Sequence, residues 1–166
     1  STLAWNYFRT LTFQHELFWA LREINSNGNE QFQISYSKDG DSWKTLAPIE
    51  SVIYQSCTKD GKFLFSRNDH EILIFDTATR QWETLPLPNT DSEGKEIAFR
   101  LASTKAQVAG KKGEILAIVK DRNSNSAFLR FRQNEGWELF SIPESNWRAR
   151  FIDVADKYYL KIKQPF

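Results

Sequence analysis

Several residue types are scarce in this chain, and each shortage excludes a class of protein. Cys57 is the only cysteine, so no intrachain disulfide can form. Two histidines and one cysteine cannot supply a zinc set. No apolar run reaches the roughly 18 residues of a transmembrane helix. The formal net charge is only +1, which gives no general attraction to nucleic acid or to an anionic membrane.

Methionine is also absent, and the chain begins at Ser1. We expect either that an N-terminal segment was removed, as a secretory signal is, or that the chain was trimmed at this boundary. Removal of a signal would place the protein in a periplasm or outside the cell. A periplasmic or secreted location is therefore the prediction.

Aromatic residues are abundant at 14%, and apolar residues mostly recur at every second position. Alternation of this kind predicts β-strands, whereas helix patterns are almost absent. Residues 16–24 fit a helix or a strand, and we interpret them as a strand. The predicted fold class is all-β, in a single domain spanning residues 1–166.

Three segments of the chain share one pattern around a tryptophan. Trp43, Trp82 and Trp137 each have an apolar residue three positions later and a proline within six. Those apolar residues are Leu46, Leu85 and Phe140. Such self-similarity predicts a repeat architecture. We expect each Trp to cover the gap to a neighbouring sheet, with the residue at +3 fixing its edge.

Dividing the chain at these segments gives three four-stranded antiparallel units and a half unit, with about 14 strands in all. The prediction is a small β-propeller of about four blades. The N-terminal strand is the candidate to complete the last blade. A two-sheet sandwich or an open curved sheet built from the same hairpins remains the alternative.

The turn before Trp43 carries a recognisable motif. Ser37, Asp39, Gly40 and Trp43 resemble the Asp-box of sialidase-like propellers, with one residue fewer between Asp39 and Trp43. Residues 75–86 also resemble the closing hairpin of a kelch blade, without the Gly-Gly doublet. In these families the motif is structural, so the resemblance implies a propeller fold and no catalytic residue.

No set of residues predicts catalysis. His15 and His70 lie in turn-like segments without a nucleophile motif. The aspartates fall in turns, where Asp bonds to the backbone. We therefore expect no enzyme activity, no catalytic residue, no cofactor and no metal site.

Polar loops are the candidates for binding another protein, because Ser, Asn and Gly suit adaptable hydrogen bonding. Residues 25–29 and 89–95 are two such loops, and two further loops supply the predicted contacts. The predicted partner-binding residues are Arg122, Asn123, Ser124, Asn125, Ser126, Lys105, Gln107, Lys111 and Lys112.

The size, the repeated hairpins and the expected export are similar to those of periplasmic immunity proteins. Those proteins neutralise secreted cell-wall amidase effectors of type VI systems. The resemblance implies a non-catalytic inhibitor whose loop blocks the active site of a partner enzyme. Two alternatives stay open. One is a carbohydrate- or ligand-binding propeller module that uses Trp5, Trp19 or Trp147, and the other is a fragment of a larger propeller protein.

Overall fold

The structure is a computed structural model that describes part of the chain. It describes residues 8–26, 29–49, 54–57, 60–68, 70–90, 100–101, 108–111, 113–120, 126–141, 148–154 and 157–163. Side chains are described for residues 10–24, 31–49, 60–66, 70–90, 113–120 and 127–140. All regular elements in these ranges are β-strands, which confirms the all-β prediction. The described residues include no helix with the length and apolarity to cross a membrane.

The first sheet is an antiparallel meander of four strands in chain order. Its strands are β1 (Phe8–Gln14), β2 (Leu17–Ser26), β3 (Asn29–Ser37) and β4 (Trp43–Thr45). His15 and Glu16 join β1 to β2 with φ of 51° and 61°, as a tight hairpin turn requires. The predicted loop at residues 25–29 is shorter than expected. Ser26 pairs with Asn29 and Asn25 with Glu30, so the two ends of the predicted loop belong to strands.

The second sheet repeats this meander with β5 (Tyr54–Cys57), β6 (Lys62–Asn68), β7 (Glu71–Asp76) and β8 (Gln81–Pro86). Its β7–β8 turn lacks the glycine of the first copy. Arg80 occupies the left-handed region instead, with φ of 58°. Asp76 steadies this turn by accepting hydrogen bonds from the backbone N–H groups of Ala78 and Thr79 at 2.8 and 3.4 Å.

The third sheet has five strands, β9 (Arg100–Leu101), β10 (Val108–Lys111), β11 (Glu114–Lys120), β12 (Ser126–Arg132) and β13 (Gly136–Ser141). The last four form the meander, and the short β9 pairs with the far end of β11. The prediction of a loop at residues 105–112 was wrong for 108–111. Gly110 and Lys111 hide the strand alternation, and pairing with β11 makes this segment a strand.

Within the described ranges, the fourth sheet consists of β14 (Arg148–Val154) and β15 (Lys157–Lys163). The described chain thus follows the predicted division into three four-stranded meanders and a half unit, with one difference in the third. The strand predicted first there, residues 97–104, is described only as β9, and the unpredicted β10 takes its place in the meander. The N-terminal strand β1 pairs with β2 in the first sheet, and no described strand pairs it with the fourth. Residues 1–7 lie outside the described part.

Apolar packing joins the first three sheets in chain order. One face of the second sheet, with Phe65 and Phe75, packs against Trp19 and Ile34 of the first sheet. The opposite face, with Leu64 and its neighbours, packs against the third sheet. Both faces of the second sheet are therefore buried, which excludes a simple two-sheet sandwich because a sandwich leaves one face of each sheet in solvent.

The three repeated tryptophans occupy one kind of face, but the role predicted for the +3 residues was wrong. Side chains alternate along a strand, so positions three apart point to opposite faces. Trp82 packs on Phe65 and Phe75, toward the first sheet, whereas Leu85 packs toward the third. Trp137 likewise faces the second sheet and donates its indole N–H to the carbonyl of Pro86 at 2.9 Å.

Trp43 covers the face of the first sheet that points away from the second, where it packs on Ala20. Leu46, at +3, belongs to the cluster on the other face. Trp82 and Trp137 thus lie on the face toward the preceding sheet, and Trp43 lies on the face away from the second sheet. This placement is what the three Trp segments of the repeat have in common in the structure.

Candidate functional site

Two of the nine predicted partner-binding residues lie in described strands. Lys111 is the last residue of β10 and pairs with Glu114. Ser126 is the first residue of β12 and pairs with Lys120. Neither belongs to a projecting loop, contrary to the prediction, because both are held in the ladder. The other predicted residues lie outside the described residues: Lys105, Gln107, Lys112, Arg122, Asn123, Ser124 and Asn125.

Strand β11 separates the two predicted segments. Glu114, beside the Lys111 segment, begins the strand, and Lys120, beside the 121–125 segment, ends it. Six residue steps of about 3.3 Å place these ends roughly 20 Å apart. The structure therefore does not bring the two segments together at one end of the sheet, and they are separate candidate contacts.

Residues 121–125 follow the Lys120 end of β11, and this end is termed the loop end. The strand that leads to it is buried and fully paired. Ile115 to Val119 are buried at five consecutive positions, so this strand is covered on both faces. It pairs with β12 at every position from Glu114 to Lys120. A connection mounted on such a strand pair is held at both of its ends by core structure.

Two basic residues occupy paired register positions at the loop end. Arg100 of β9 lies directly opposite Lys120 in the ladder. Like charges at opposed positions destabilise a strand pair by a few tenths to about 1 kcal/mol. An acidic group on a bound partner would relieve that repulsion. The sequence could not reveal this pair, because β9 is only two residues long and its register is set by β11.

A small groove between the second and third sheets is the second candidate, and no sequence pattern indicated it. Asp60, Lys62, Glu83 and Glu114 supply its charged groups, and Ile74, Ile115 and Phe131 supply apolar walls. One carboxylate oxygen of Asp60 is buried without a hydrogen-bond partner. The volume is about 70 Å³. Since a water molecule takes about 30 Å³ and ligand pockets usually measure about 300 Å³ or more, the groove suits waters or one side-chain tip.

The Asp-box-like residues are occupied in holding their own turn. The carboxylate of Asp39 accepts hydrogen bonds from the backbone N–H groups of Asp41 and Ser42 at 2.9 and 2.8 Å and from the Ser37 hydroxyl at 2.9 Å. Trp43 closes the turn by donating its indole N–H to the carbonyl of Gly40 at 2.8 Å. The hydrogen bonds that the Asp39 carboxylate accepts, of which the one from the Ser42 N–H has the largest effect, lower the pKa of Asp39 to about 2. The motif therefore serves the fold, as the resemblance implied.

The histidines and acidic groups form no metal-binding arrangement in the described ranges. His15 and His70 are both exposed on turns. No group of three or more His, Cys, Asp or Glu among the described residues is placed to hold a metal ion.

Trp19, one of the aromatics considered for carbohydrate stacking, is fully buried. It packs between Tyr36 and Phe75 and donates its indole N–H to the carbonyl of Gln14 at 3.2 Å. It cannot stack on a sugar, so that assignment was wrong. Trp5 and Trp147 lie outside the described residues.

Comparison with known proteins adds no family to these observations. No protein-family model and no curated protein matches the chain.

Proposed function

We propose that the four sheets are successive blades of a small β-propeller. Three observations support this arrangement: the meander within each of the first three sheets, their face-to-face packing in chain order, and the equivalent face taken by each repeated Trp. In a ring, the face of the first sheet that carries Trp43 would meet the fourth sheet. Leu11 and Phe13 on β1 are 53% and 58% exposed, which leaves apolar surface for that contact.

Within that fold, the proposed function is non-catalytic protein binding, with the loop end of the third sheet as the contact. The observation that carries it is the mounting of residues 121–125 on β11, which is buried at five consecutive positions. The strands on either side of these residues are paired along their whole length, and fixed attachment points reduce the conformational entropy lost on binding. Arg100 and Lys120 at its base would favour an acidic rim on the partner.

The biological role proposed for this module is that of an inhibitor which inserts residues 121–125 into the active-site cleft of a partner enzyme. A secreted cell-wall amidase is the proposed class of partner, and the periplasm the proposed compartment. The support is a resemblance in organisation together with the continuous pairing of β11 with β12, the strands that flank residues 121–125.

The test is replacement of residues 121–125 by Asn-Gly, a dipeptide that favours a two-residue hairpin turn. We expect inhibition of peptidoglycan hydrolysis, measured against a panel of purified cell-wall amidases, to be lost. The unfolding midpoint should change little, because the β11–β12 ladder is retained. A matched control, Lys111→Ala with Lys112→Ala, alters the opposite end of β11 and should leave inhibition intact.

Full inhibition by the loop-replaced variant would refute the loop assignment. Absence of inhibition across the panel by the unchanged chain would refute the amidase class. Loss of inhibition in the Lys111→Ala, Lys112→Ala control alone would move the contact to the other end of β11.

A further inference from the structure

The seam between the first and second sheets has an exposed tryptophan at its outer edge. Trp82 is 42% exposed, although its ring packs on Phe75 with the two centroids 4.8 Å apart. Phe75 in turn contacts Trp19 of the first sheet at 5.8 Å, and Trp19 contacts Tyr36 on the neighbouring strand at 5.2 Å. The two sheets therefore meet at Trp19 and Phe75, and the next strand of each sheet presents Tyr36 and Trp82 at the opening of the seam.

Arg80 joins the two sides of this opening. It is the last turn residue before β8, and its guanidinium lies over the ring of Tyr36 in the first sheet, 4.7 Å from the centroid. Lys44 of β4 is opposite Tyr36 in the ladder, so it lies on the same face. Tyr36, Lys44, Arg80 and Trp82 thus border one opening, and these four residues are termed the seam surface.

The two cations of the seam surface have no carboxylate partner. Elsewhere the fold pairs a cation with an acid on the neighbouring strand, as where Arg130 donates a hydrogen bond to Glu138 at 3.1 Å. Arg80 and Lys44 are both exposed, and neither forms an ion pair with the described residues. A carboxylate brought by a partner would therefore meet two cations without displacing an acid of this chain.

The residue types of the seam surface are those that dominate protein interfaces. Trp, Tyr and Arg are enriched at the interface positions that carry most of the binding free energy. The two cations can only donate hydrogen bonds, which suits a carboxylate better than the mixed donors and acceptors of a neutral sugar. The exposed indole beside them supplies an apolar contact.

From these observations we propose that the seam surface is a second protein contact, which takes a partner segment with a carboxylate next to an apolar side chain. The carboxylate pairs with Arg80 and Lys44, and the apolar side chain packs on Trp82. Both sheets of the seam are already packed together, so closing a ring at other sheets leaves this opening in place. The loop end lies on the third sheet, so the proposal holds whether or not residues 121–125 block an enzyme.

The test is titration of the chain of residues 1–166 with the peptide acetyl-Gly-Glu-Leu-Glu-Gly-amide, followed by the NMR shifts of the Trp82 indole N–H and the Tyr36 amide. We expect saturable shifts at millimolar peptide, confined to the seam surface. Replacing both Glu of the peptide by Gln removes its charge, and replacing Leu by Ala removes its apolar contact. Each change should weaken binding by about three- to tenfold.

Variants of the chain test the same contacts from the other side. Lys44→Gln and Arg80→Asn each remove one cation, and Asn tolerates the left-handed backbone that residue 80 adopts. Each variant should bind the Glu peptide about three- to tenfold more weakly and should bind the Gln peptide as the unchanged chain does. The matched control, Lys38→Gln, removes an exposed cation that is not part of the seam surface and should keep the affinity within about twofold.

Four results would overturn the proposal. Three of them are no saturable shift at the seam surface, equal affinity for the Glu and Gln peptides, and an equal loss in Lys44→Gln and Lys38→Gln. The fourth is a saturable shift of the Trp82 indole with chitohexaose but not with the peptide, which would make the seam surface a carbohydrate site. None of these measurements involves residues 121–125, so their failure and the failure of amidase inhibition are distinguishable.

Discussion

The two faces of the first sheet are stabilised in different ways. The face toward the second sheet is apolar and closed, with Trp19, Leu21 and Ile34 fully buried against Phe65 and Phe75. The opposite face carries the exposed Leu11 and Phe13, and its buried part is held by its own hairpin, through Trp43 and the Asp39 turn. Burial of the first kind depends on a neighbouring sheet, whereas the second kind is local to one hairpin.

The largest expected effect comes from truncating one aromatic residue on each face. Trp19→Ala should lower the free energy of unfolding by about 3–5 kcal/mol, since it removes a fully buried side chain and its packing. Phe13→Ala should cost less than about 1 kcal/mol because the ring is half exposed. Urea unfolding of both variants measures the contrast. A cost above about 2 kcal/mol for Phe13→Ala would show that the outer face is covered in solution.

A smaller effect is expected at the joint between the first and second sheets. A Cβ added to Gly61 would lie 2.6 Å from the Thr77 hydroxyl and 3.0 Å from Gln14 of the first sheet. Gly61→Ala should therefore cost about 2–4 kcal/mol, from backbone strain and from the clash. Gly136→Ala is the control, since its φ of 77° is similar but nothing lies within 4 Å of the added atom.

The control should cost only about 1–2 kcal/mol, the strain of the left-handed backbone alone. Thermal unfolding of the two variants side by side measures the difference. Equal losses would mean that Gln14 and Thr77 move aside freely, and that the joint is looser than the packed face suggests.

The hydroxyl of Thr77 gives a finer measurement at the same joint. It donates a buried hydrogen bond to the carbonyl of Gly61 at 2.6 Å. Thr77→Val should cost about 1 kcal/mol, because the bond is lost while the backbone N–H of residue 77 still serves the same carbonyl. Thr79→Val, at an exposed position of the same turn, should be within about 0.5 kcal/mol of the unchanged chain by chemical denaturation.

The outer face should show the smallest effect, as a dependence of stability on pH. Backbone hydrogen bonds from Ser42 and Asp41 lower the pKa of Asp39 to about 2, below the roughly 3.9 of an unfolded chain. The ionised carboxylate thus stabilises the fold above about pH 4, and this contribution is lost as the pH falls toward 2.

Asp39→Asn should be less stable at neutral pH and should lose less stability between pH 4 and pH 2. Unfolding midpoints measured across that range, together with NMR titration of the Asp39 carboxyl, check the expectation. Parallel pH profiles for the two chains would show that the turn does not depend on the charge of Asp39.

The local sequence pattern predicted the strands well, but it predicted less well which residues lie on the same face of a sheet. Strand β11 was predicted at Glu114–Lys120 with its observed bounds, because its apolar run is flanked by clear turn residues. Strand β10 was missed, because Gly110 and Lys111 carry no strand pattern and only the ladder with β11 makes them regular. The role assigned to Leu46, Leu85 and Phe140 was wrong because it ignored the two-residue period of a strand.

The candidate site could likewise be predicted from the sequence only in part. The polar composition of residues 121–125 was visible in the chain, and so was the strength of the strands on either side. The pairing of Arg100 with Lys120 and the separation of Lys111 from Ser126 depend on register, which residues distant in sequence establish. Composition suggested the loops, and strand pairing showed that the predicted contact segments on either side of β11 are separate.

The sequence by itself determined the all-β class, the meander repeat and the turn chemistry, including the Asp39 turn. These follow from alternation, Gly, Asn and Asp at short range, and need no distant partner. Only the tertiary structure decided that the second sheet is buried on both faces, that Trp19 is part of the core, and that Arg100 pairs in register with Lys120. Those features depend on which sheets stack and in which register the strands pair. The free energy of that packing and pairing comes from contacts between segments that are far apart in the chain.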